Sequence, residues 1–305
     1  MARITAIVPA TDRPRTLDSC TNAIAAAADP PEEVMVVEEP SELGPAAARN
    51  FAASRASGDL LVFVDSDVAV HGDVFTRIRT RFDEETGLTA LFGSYDDEPA
   101  GPGLVSIFRN LLHHHVHQES GGPASTFWTG LGAVRRDAFE RVGGFDSRLE
   151  WLEDVDFGIR LCQSGARIEL DPTIQAKHLK EWTLLRMLWV DFIGRGVPWT
   201  VLLFRHRATA NTLNLGWRHR LSAGACVVGC AALATRRPRL AVASIGALLG
   251  LNHSFYLLLL RKRGPAHAVA GVGLHALHHL TAVVALPAGI VAFVLERRSL
   301  GHDGG

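Results

Sequence analysis

Polar and apolar positions divide the chain into three kinds of stretch. There are short apolar runs closed by acids, mixed segments of helical period, and long uncharged runs near the C-terminal end. Residues 4–8 form an apolar run that stops at Pro9 and predicts a first strand. Thr11 or Asp12 can cap the next helix, with Pro14 in its first turn and an end near Ala28. Residues 33–39 predict a second strand that closes on Glu38 and Glu39. Gly44-Pro45 opens a second helix, which stops at Gly58-Asp59. Residues 60–64 predict a third strand, apolar throughout, so buried on both faces. This alternation of strands and helices at short spacing predicts a doubly wound α/β domain.

The pattern continues with a helix at 73–85, a strand at 89–95 and an acid-, Pro- and Gly-rich loop at 96–103. A helix at 105–119 carries His113, His114, His115 and His117. A metal site and a polar helix beside a substrate groove are both open readings. No carboxylate or Cys partner has metal-ligand spacing, which favours the second. Gly121-Gly122-Pro123 reads as a mobile loop, and 125–136 as a strand whose glycines permit close approach of a ligand or another backbone. Asp137 caps a short helix ending at Gly143-Gly144, and Glu153-Asp154-Val155-Asp156 begins another. Short strands at 167–170 and 174–179 flank Asp171-Pro172, and His178 closes the second. Trp182, Trp189 and Trp199 with Arg186, Arg195 and Arg205 suggest a segment lying at a membrane interface.

Beyond Leu221, charge almost vanishes apart from Arg/Lys clusters. Residues 221–235 are short for a full span, whereas 240–260 and 268–295 are long enough, since about 20 residues cross a bilayer core. The expectation is an integral, multi-pass membrane protein. With all three runs spanning, Arg205, Arg207, Arg218, Arg220, Arg261, Lys262 and Arg263 lie inside. Arg236, Arg237, Arg239, Arg297 and Arg298 lie outside, which gives a positive-inside bias. A re-entrant first hairpin with an interfacial segment at 255–263 is the alternative. His275, His278 and His279 are spaced to share one helix face, for a metal, helix–helix hydrogen bonds or lipid headgroups.

The 305 residues carry a formal net charge of -1, which removes the electrostatic case for nucleic acid as the main partner. The four cysteines form no disulfide framework, which fits a reducing compartment. The N-terminal apolar run is too short for a signal peptide, so the first domain is expected in the cytoplasm.

Chemistry concentrates at Asp65-Ser66-Asp67. Side chains alternate on a strand, so Asp65 and Asp67 share a face at its carboxyl end, where open α/β sheets bind ligands. Two carboxylates there can hold a divalent cation against a diphosphate, and the same tripeptide also makes a good turn. There is no GxGxxG after the first strand, which argues against a dinucleotide oxidoreductase. Acids at the ends of the second and third strands suit a nucleotide held by base and ribose contacts plus a metal. The three acids from Glu153 complement a helix N-terminus, and one placed beside a substrate could act as general base.

Taken in order, these residues resemble family 2 glycosyltransferases of the GT-A fold over residues 4–204, followed by a membrane region. The resemblance rests on Ile7-Val8-Pro9, Ala48-Arg49-Asn50, Gly58-Asp59 and the Asp65-Ser66-Asp67 "DxD". It continues through Gly130-Leu131-Gly132-Ala133-Val134-Arg135-Arg136, Val142-Gly143-Gly144-Phe145-Asp146, Glu153-Asp154 and Arg160-Leu161. It implies a Rossmann-like, mixed but mostly parallel sheet with helices on both faces. It implies that Asp67, with Asp65, engages Mg²⁺ or Mn²⁺ and the diphosphate of a nucleotide-sugar donor. Pro9, Glu38, Glu39, Arg49, Gly130 and Gly132 would complete the donor site, and His178 stands where some GT-A enzymes supply another metal ligand. Asp154 would deprotonate the acceptor hydroxyl and give inversion at the anomeric carbon, with Glu153 positioning the loop. The family usually has Asp-Asp where Glu38-Glu39 stands, and the extra methylene bears on which nucleotide is bound. No Gln-x-x-Arg-Trp follows the base, so a single transfer is expected rather than polymerisation.

The expected layout is a catalytic domain at 1–204, a basic linker at 205–220, a membrane region at 221–297 and a polar tail at 298–305. The expected activity is hexosyl-type transfer to a lipid or lipid-linked glycan acceptor at the cytosolic face of the cell membrane. The alternative is a non-catalytic sugar-nucleotide-binding or scaffold membrane protein of the same fold. A nucleotidyltransferase would want a basic, glycine-rich loop where Ala10-Thr11-Asp12-Arg13-Pro14 stands.

Overall fold

The computed structural model describes residues 2–206 and 216–302. Arg207, most of the 205–220 linker and the end of the polar tail lie outside the described residues. The chain divides into two compact units, Met1–Gly101 with Val116–Glu181, and Pro102–His115 with Trp182–Gly305. Compactness thus groups the Trp- and Arg-bearing stretch after Glu181 with the apolar helices.

The first unit begins with the predicted alternation of strands and helices, but its first helix starts only at Leu17, after Thr16 rather than Thr11 or Asp12, which leaves Pro14 outside it. Strand β1 (Ile4–Pro9) leads through helix α1 (Leu17–Ala25) to β2 (Glu33–Val37), and α2 (Pro45–Ala53) leads to β3 (Leu60–Val64). All five residues of β3 are buried, as a two-sided central strand requires. Then come β4 (Val68–Val70), α3 (Val74–Glu84), β5 (Leu88–Tyr95), α4 (Leu104–Glu119) and β6 (Gly122–Ala124). The unit closes with β7 (Leu131–Arg135), α5 (Arg136–Arg141), α6 (Glu153–Gln163) and β8 (Arg167–His178).

The sheet runs β2-β1-β3-β7-β5-β8-β4, with β6 paired to β8. It is mixed and mostly parallel: β1, β2, β3, β5 and β8 run one way, and β4, β6 and β7 run against them. Ile7 pairs with Phe63 and Pro9 with Val37, so β1, β2 and β3 end level with one another. Pro9, Glu38 and Asp65 therefore mark one edge of the sheet. Strand β7 pairs Leu131 with Val64, so the turn before it arrives at that same edge.

Three expectations change. Only Leu131–Arg135 of the 125–136 stretch is strand, because residues before it fold back as a loop. A Cβ on Gly132 would sit 2.3 Å from the Trp128 carbonyl oxygen and 2.5 Å from the Phe127 ring. The expected mobile loop at Gly121-Gly122-Pro123 is partly the short strand β6. The two strands expected around Asp171-Pro172 are one strand, β8. Its irregular pairing with β5 spans this point, and Arg81 of α3 pairs with both Asp171 and Glu169. Gly93 lets the two strands close there, since a Cβ would lie 2.2 Å from the Ile174 carbonyl oxygen.

The second unit is helical. It takes the first part of α4, then α7 (Leu184–Trp189), a π-helical turn at Val190–Gly196, and α8 (Val197–His206). Helices α9 (Trp217–Ala234), α10 (Pro238–Leu251), α11 (His253–Arg263) and α12 (Pro265–His302) follow. Leu184–His206 and Pro265–Arg298 are long and apolar enough to cross a membrane. The segment expected at an interface is thus a continuous helix of spanning length, because the π turn joins α7 to α8 without a break.

The run expected to span at 240–260 is bent by 73° between α10 and α11. Asn252 accounts for the bend. Its side-chain amide donates to the Leu248 carbonyl and to Ser222 Oγ of α9, at 3.0 and 2.8 Å, holding the break in place. The histidines of α4 do not form one group. His117 places Nδ1 3.0 Å from the Gly93 carbonyl oxygen and packs on Phe92 and Trp128 in the first unit. His115 packs on Phe255 in the second.

Candidate active site

Arg49 organises the first unit's chemistry. It lies in α2, which starts where Pro45 occupies the first helical turn after an extended Gly44. The guanidinium donates to Asp65 Oδ1 and to Glu153 Oε1, each at 2.6 Å. Two acids separated by 88 residues in the chain thus share one buried cation. Burial opposes its charge, but Asp65 and Glu153 more than restore it and hold the guanidinium's pKa above its usual range. Arg49 Nε is buried without a hydrogen-bond partner.

Asp65 stays partly open, with 31% of its side chain exposed. Asp67 is held from the other side. Its Oδ2 lies 3.3 Å from Lys180 Nζ and 3.7 Å from His178 Nε2. Burial acts to raise the Asp67 carboxyl, and the nearby His178 and Lys180 override this and keep it below the usual carboxylate range. His178 is positioned by strand pairing, Val68 of β4 opposite His178 of β8, and by stacking on Tyr95 at 4.2 Å.

Glu153 and Asp154 open α6. Leu152 just before them has φ 61° and ψ 26°, a left-handed conformation that is costly for a bulky side chain. The kink sends the chain into the helix immediately at Glu153. Asp154 Oδ1 accepts from the Val155 amide at 2.8 Å. Asp154 is half-buried. Burial, then the Glu153 charge, push its carboxyl up to about 7, against the pull of Arg49.

The remaining expected residues fall as follows. Pro9 is buried at the end of β1. Glu38 and Glu39 are exposed past β2, and Glu39 pairs with Arg13. Gly130 accepts from the Asp65 amide at 3.3 Å through its carbonyl, which ties the loop to the DxD. A Cβ on Gly130 would lie 2.1 Å from the Trp128 ring, so close packing of the loop on itself already requires a glycine there and at Gly132. The ligand atoms of Asp65, Asp67 and His178 do not gather as a three-residue set within 4.8 Å, so only Asp67 and His178 stand as direct neighbours.

Lys180 was not anticipated. Its signal was the i, i+2 spacing from His178 past a strand end, which puts both on one face. Trp128 and Tyr95, packed edge to face at 4.8 Å beside His178, were also missed. No local pattern marks them, because their proximity comes from the sheet order.

The donor set suits a hard divalent cation. Asp65 and Asp67 each have one carboxylate oxygen engaged by the cationic side chains described above and another available. The local acids Asp65, Asp67, Glu153 and Asp154 outnumber Arg49 and Lys180, leaving a negative excess.

Comparison with known proteins places the chain beside glycosyltransferases. The family model of "Glycosyl transferase family 2" matches residues 12–143. The pre-mycofactocin glycosyltransferase of Mycobacterium tuberculosis (strain ATCC 25618 / H37Rv) is 28% identical over 173 residues, covering 49% of this chain and 34% of the relative. An uncharacterized glycosyltransferase of Haemophilus influenzae is 24% identical over 141 residues, covering 43% and 45%. The chain therefore spans less than half the length of these relatives. Among solved structures, a mannosyltransferase from Pyrobaculum calidifontis in complex with GDP-Man and Mn²⁺ superposes with a TM-score of 0.55. That likeness covers 97% of this chain and 88% of the other at 16% identity, and it is a likeness of fold. Over residues 12–143 the chain matches glycosyl transferase family 2, on a GT-A fold that is followed along the chain by long apolar helices.

Proposed function

We propose that the protein is a membrane-anchored, inverting glycosyltransferase that moves a sugar from a nucleotide-sugar donor to a lipid or lipid-linked acceptor. The observation that carries this reading is the Arg49 bridge, which fixes the DxD acid Asp65 beside the Glu153-Asp154 pair. Pro9, Glu38, Glu39 and the 125–130 loop would border the nucleotide. Asp67 with Asp65, and His178 beside Asp67, would hold Mg²⁺ or Mn²⁺. A bound divalent ion there supplies charge neutralisation for the departing diphosphate. Lys180, 3.3 Å from Asp67, adds a fixed positive charge on the same side.

Asp154 would take the proton from the acceptor hydroxyl. Its carboxyl, pushed up to about 7, is a stronger base than an ordinary aspartate and is half ionised near neutrality. Attack from the face opposite the diphosphate gives inversion. Glu153, neutralised by Arg49, positions Asp154 rather than reacting. The apolar helices would hold the enzyme beside its acceptor, with the catalytic domain on the cytoplasmic side.

A donor screen on membranes containing the protein tests the reading. Nucleoside diphosphate release with one donor, abolished by EDTA and restored by Mn²⁺ or Mg²⁺, is the expected outcome. Donor binding without turnover across the panel would instead favour the scaffold reading.

A further inference from the structure

The second unit holds a cluster of side chains that the proposed transfer does not use. His275 and His279 are one turn apart on α12, and His219 comes from the first turn of α9. One ring nitrogen from each lies within 4.8 Å of the others. His275 and His279 are 1% and 3% exposed. Nε2 of each is buried with no hydrogen-bond partner.

Leaving a buried polar atom unpaired is costly, so two such atoms within one cluster need an explanation. His278, expected on the same face, is turned away and sets Nδ1 2.7 Å from Asp191 Oδ2. The rings of His275 and His279 are 4.4 Å apart.

A second feature points the same way. The Tyr256 hydroxyl lies 3.0 Å from His275 Nδ1. An outer partner on one ring nitrogen fixes the ring and presents the other nitrogen as a ligand, as in metal-binding histidines generally.

We propose that His219, His275 and His279 bind a nitrogen-preferring first-row transition ion of the Zn²⁺ class, which ties α9 to α12. Three neutral imidazoles suit Zn²⁺, Co²⁺ or Cu²⁺ and not Mg²⁺ or Mn²⁺, which prefer oxygen. Ligands about 2.0–2.1 Å from a tetrahedral ion stand roughly 3.4 Å apart, so the rings need only a small inward shift. Three protein ligands leave a fourth position for hydroxide or water. The site is chemically separate from the Asp65–Asp67 acids, whose ion would be hard and oxygen-bound.

The experiment uses the full chain in detergent, in an Asp65→Asn/Asp67→Asn background so that carboxylate-held metal is not counted. The protein is loaded with Zn²⁺, passed through a desalting column, and its zinc is measured. About one zinc per chain is expected, retained by His253→Gln, an exposed histidine outside the cluster, and lost in His275→Gln and His279→Gln. Because those variants could misfold, Co²⁺ is also added to the otherwise unaltered background. A visible absorption band of tetrahedral cobalt, bleached by excess Zn²⁺, is the expected result. Substoichiometric zinc with no such cobalt band, or zinc retained equally by monodisperse His275→Gln and His279→Gln, overturns the proposal.

Discussion

Arg49 and Asp191 are both buried ions, and each is gripped by two partners. Arg49 in the first unit holds two acids, Asp65 and Glu153. Asp191 in the second, within the π-helical turn, holds two nitrogen groups, Arg109 of α4 at 2.6 Å and His278 of α12 at 2.7 Å. The difference lies in what reaches water. Asp65 is 31% exposed, whereas Asp191, Arg109 and His278 are all largely enclosed. A buried ion with an open partner can present charge to a ligand. A closed one can only fix the geometry of the elements it joins. In the proposed reaction the first network therefore serves chemistry and the second architecture, although their inventories are mirror images.

The sharpest way to break that contrast is at Asp154, the carboxylate assigned as base in the proposed reaction. Asp154→Asn should lower nucleoside diphosphate release by about 10²–10⁴-fold, the usual contribution of a general base. The asparagine oxygen can still accept from the Val155 amide, so thermal unfolding should not show a loss of stability. Full activity in this variant would remove Asp154 from its assigned role.

The next effect separates the two networks. Arg49→Met leaves Glu153 buried with its charge uncompensated, and Asp191→Asn does the same to Arg109. Each should cost about 3–5 kcal/mol in unfolding experiments. At a temperature where both variants remain folded, Arg49→Met should lose turnover, while Asp191→Asn should keep it. Equal loss of turnover in both would erase the distinction between the two networks.

The pH profile gives a smaller effect. Transfer should rise as pH increases through about 7, as Asp154 ionises. Stability should move in the opposite direction. A carboxyl raised from 3.8 in the unfolded chain to about 7 in the folded one holds its proton better when folded. Its contribution is full below pH 3.8 and is lost as pH climbs through 7. Asp154→Asn should thus be more stable than the parent at pH 8, by on the order of 1 kcal/mol after solvent screening, and closer to it at pH 5. A parent no less stable at pH 8 would show that Asp154 titrates normally.

The last effect concerns the packing of the loop before β7. Gly132→Ala would crowd the Trp128 carbonyl and the Phe127 ring, and overpacking of this kind costs about 1–3 kcal/mol. Donor KM should rise more than kcat falls, because the loop borders the nucleotide in the proposed site. An unchanged KM would confine these glycines to packing.

The sequence made the first half of the sheet legible because residues 4–8, 34–37 and 60–64 are largely apolar runs of strand length with clear stops. The acids at their ends and the Glu153-Asp154 pair were visible for the same reason: charge abutting an apolar run stands out. The family resemblance stated from those motifs is supported by the match over residues 12–143. What could not be read was pairing across distance. Nothing around Arg49 shows that it will bridge Asp65 to Glu153, or that Lys180 will face Asp67. The 125–136 stretch looked like one strand because glycines that accommodate a neighbouring ring and glycines that thin a strand are the same letter. The bend at Asn252 was hidden inside a run whose hydropathy is continuous, since a single buried amide sets it.

Strand β7 has a consequence for how such an enzyme can diversify. Parallel strands reach the ligand edge with the segment that follows them. This reversed strand reaches it with the segment that precedes it, residues 125–130, and then descends between β3 and β5 as a fixed wedge. In the proposed site, changes ahead of Leu131 would therefore alter the donor's border while the ladder below keeps its pairing. The two tasks of holding the sheet and choosing the ligand are written in adjacent but separable stretches of chain.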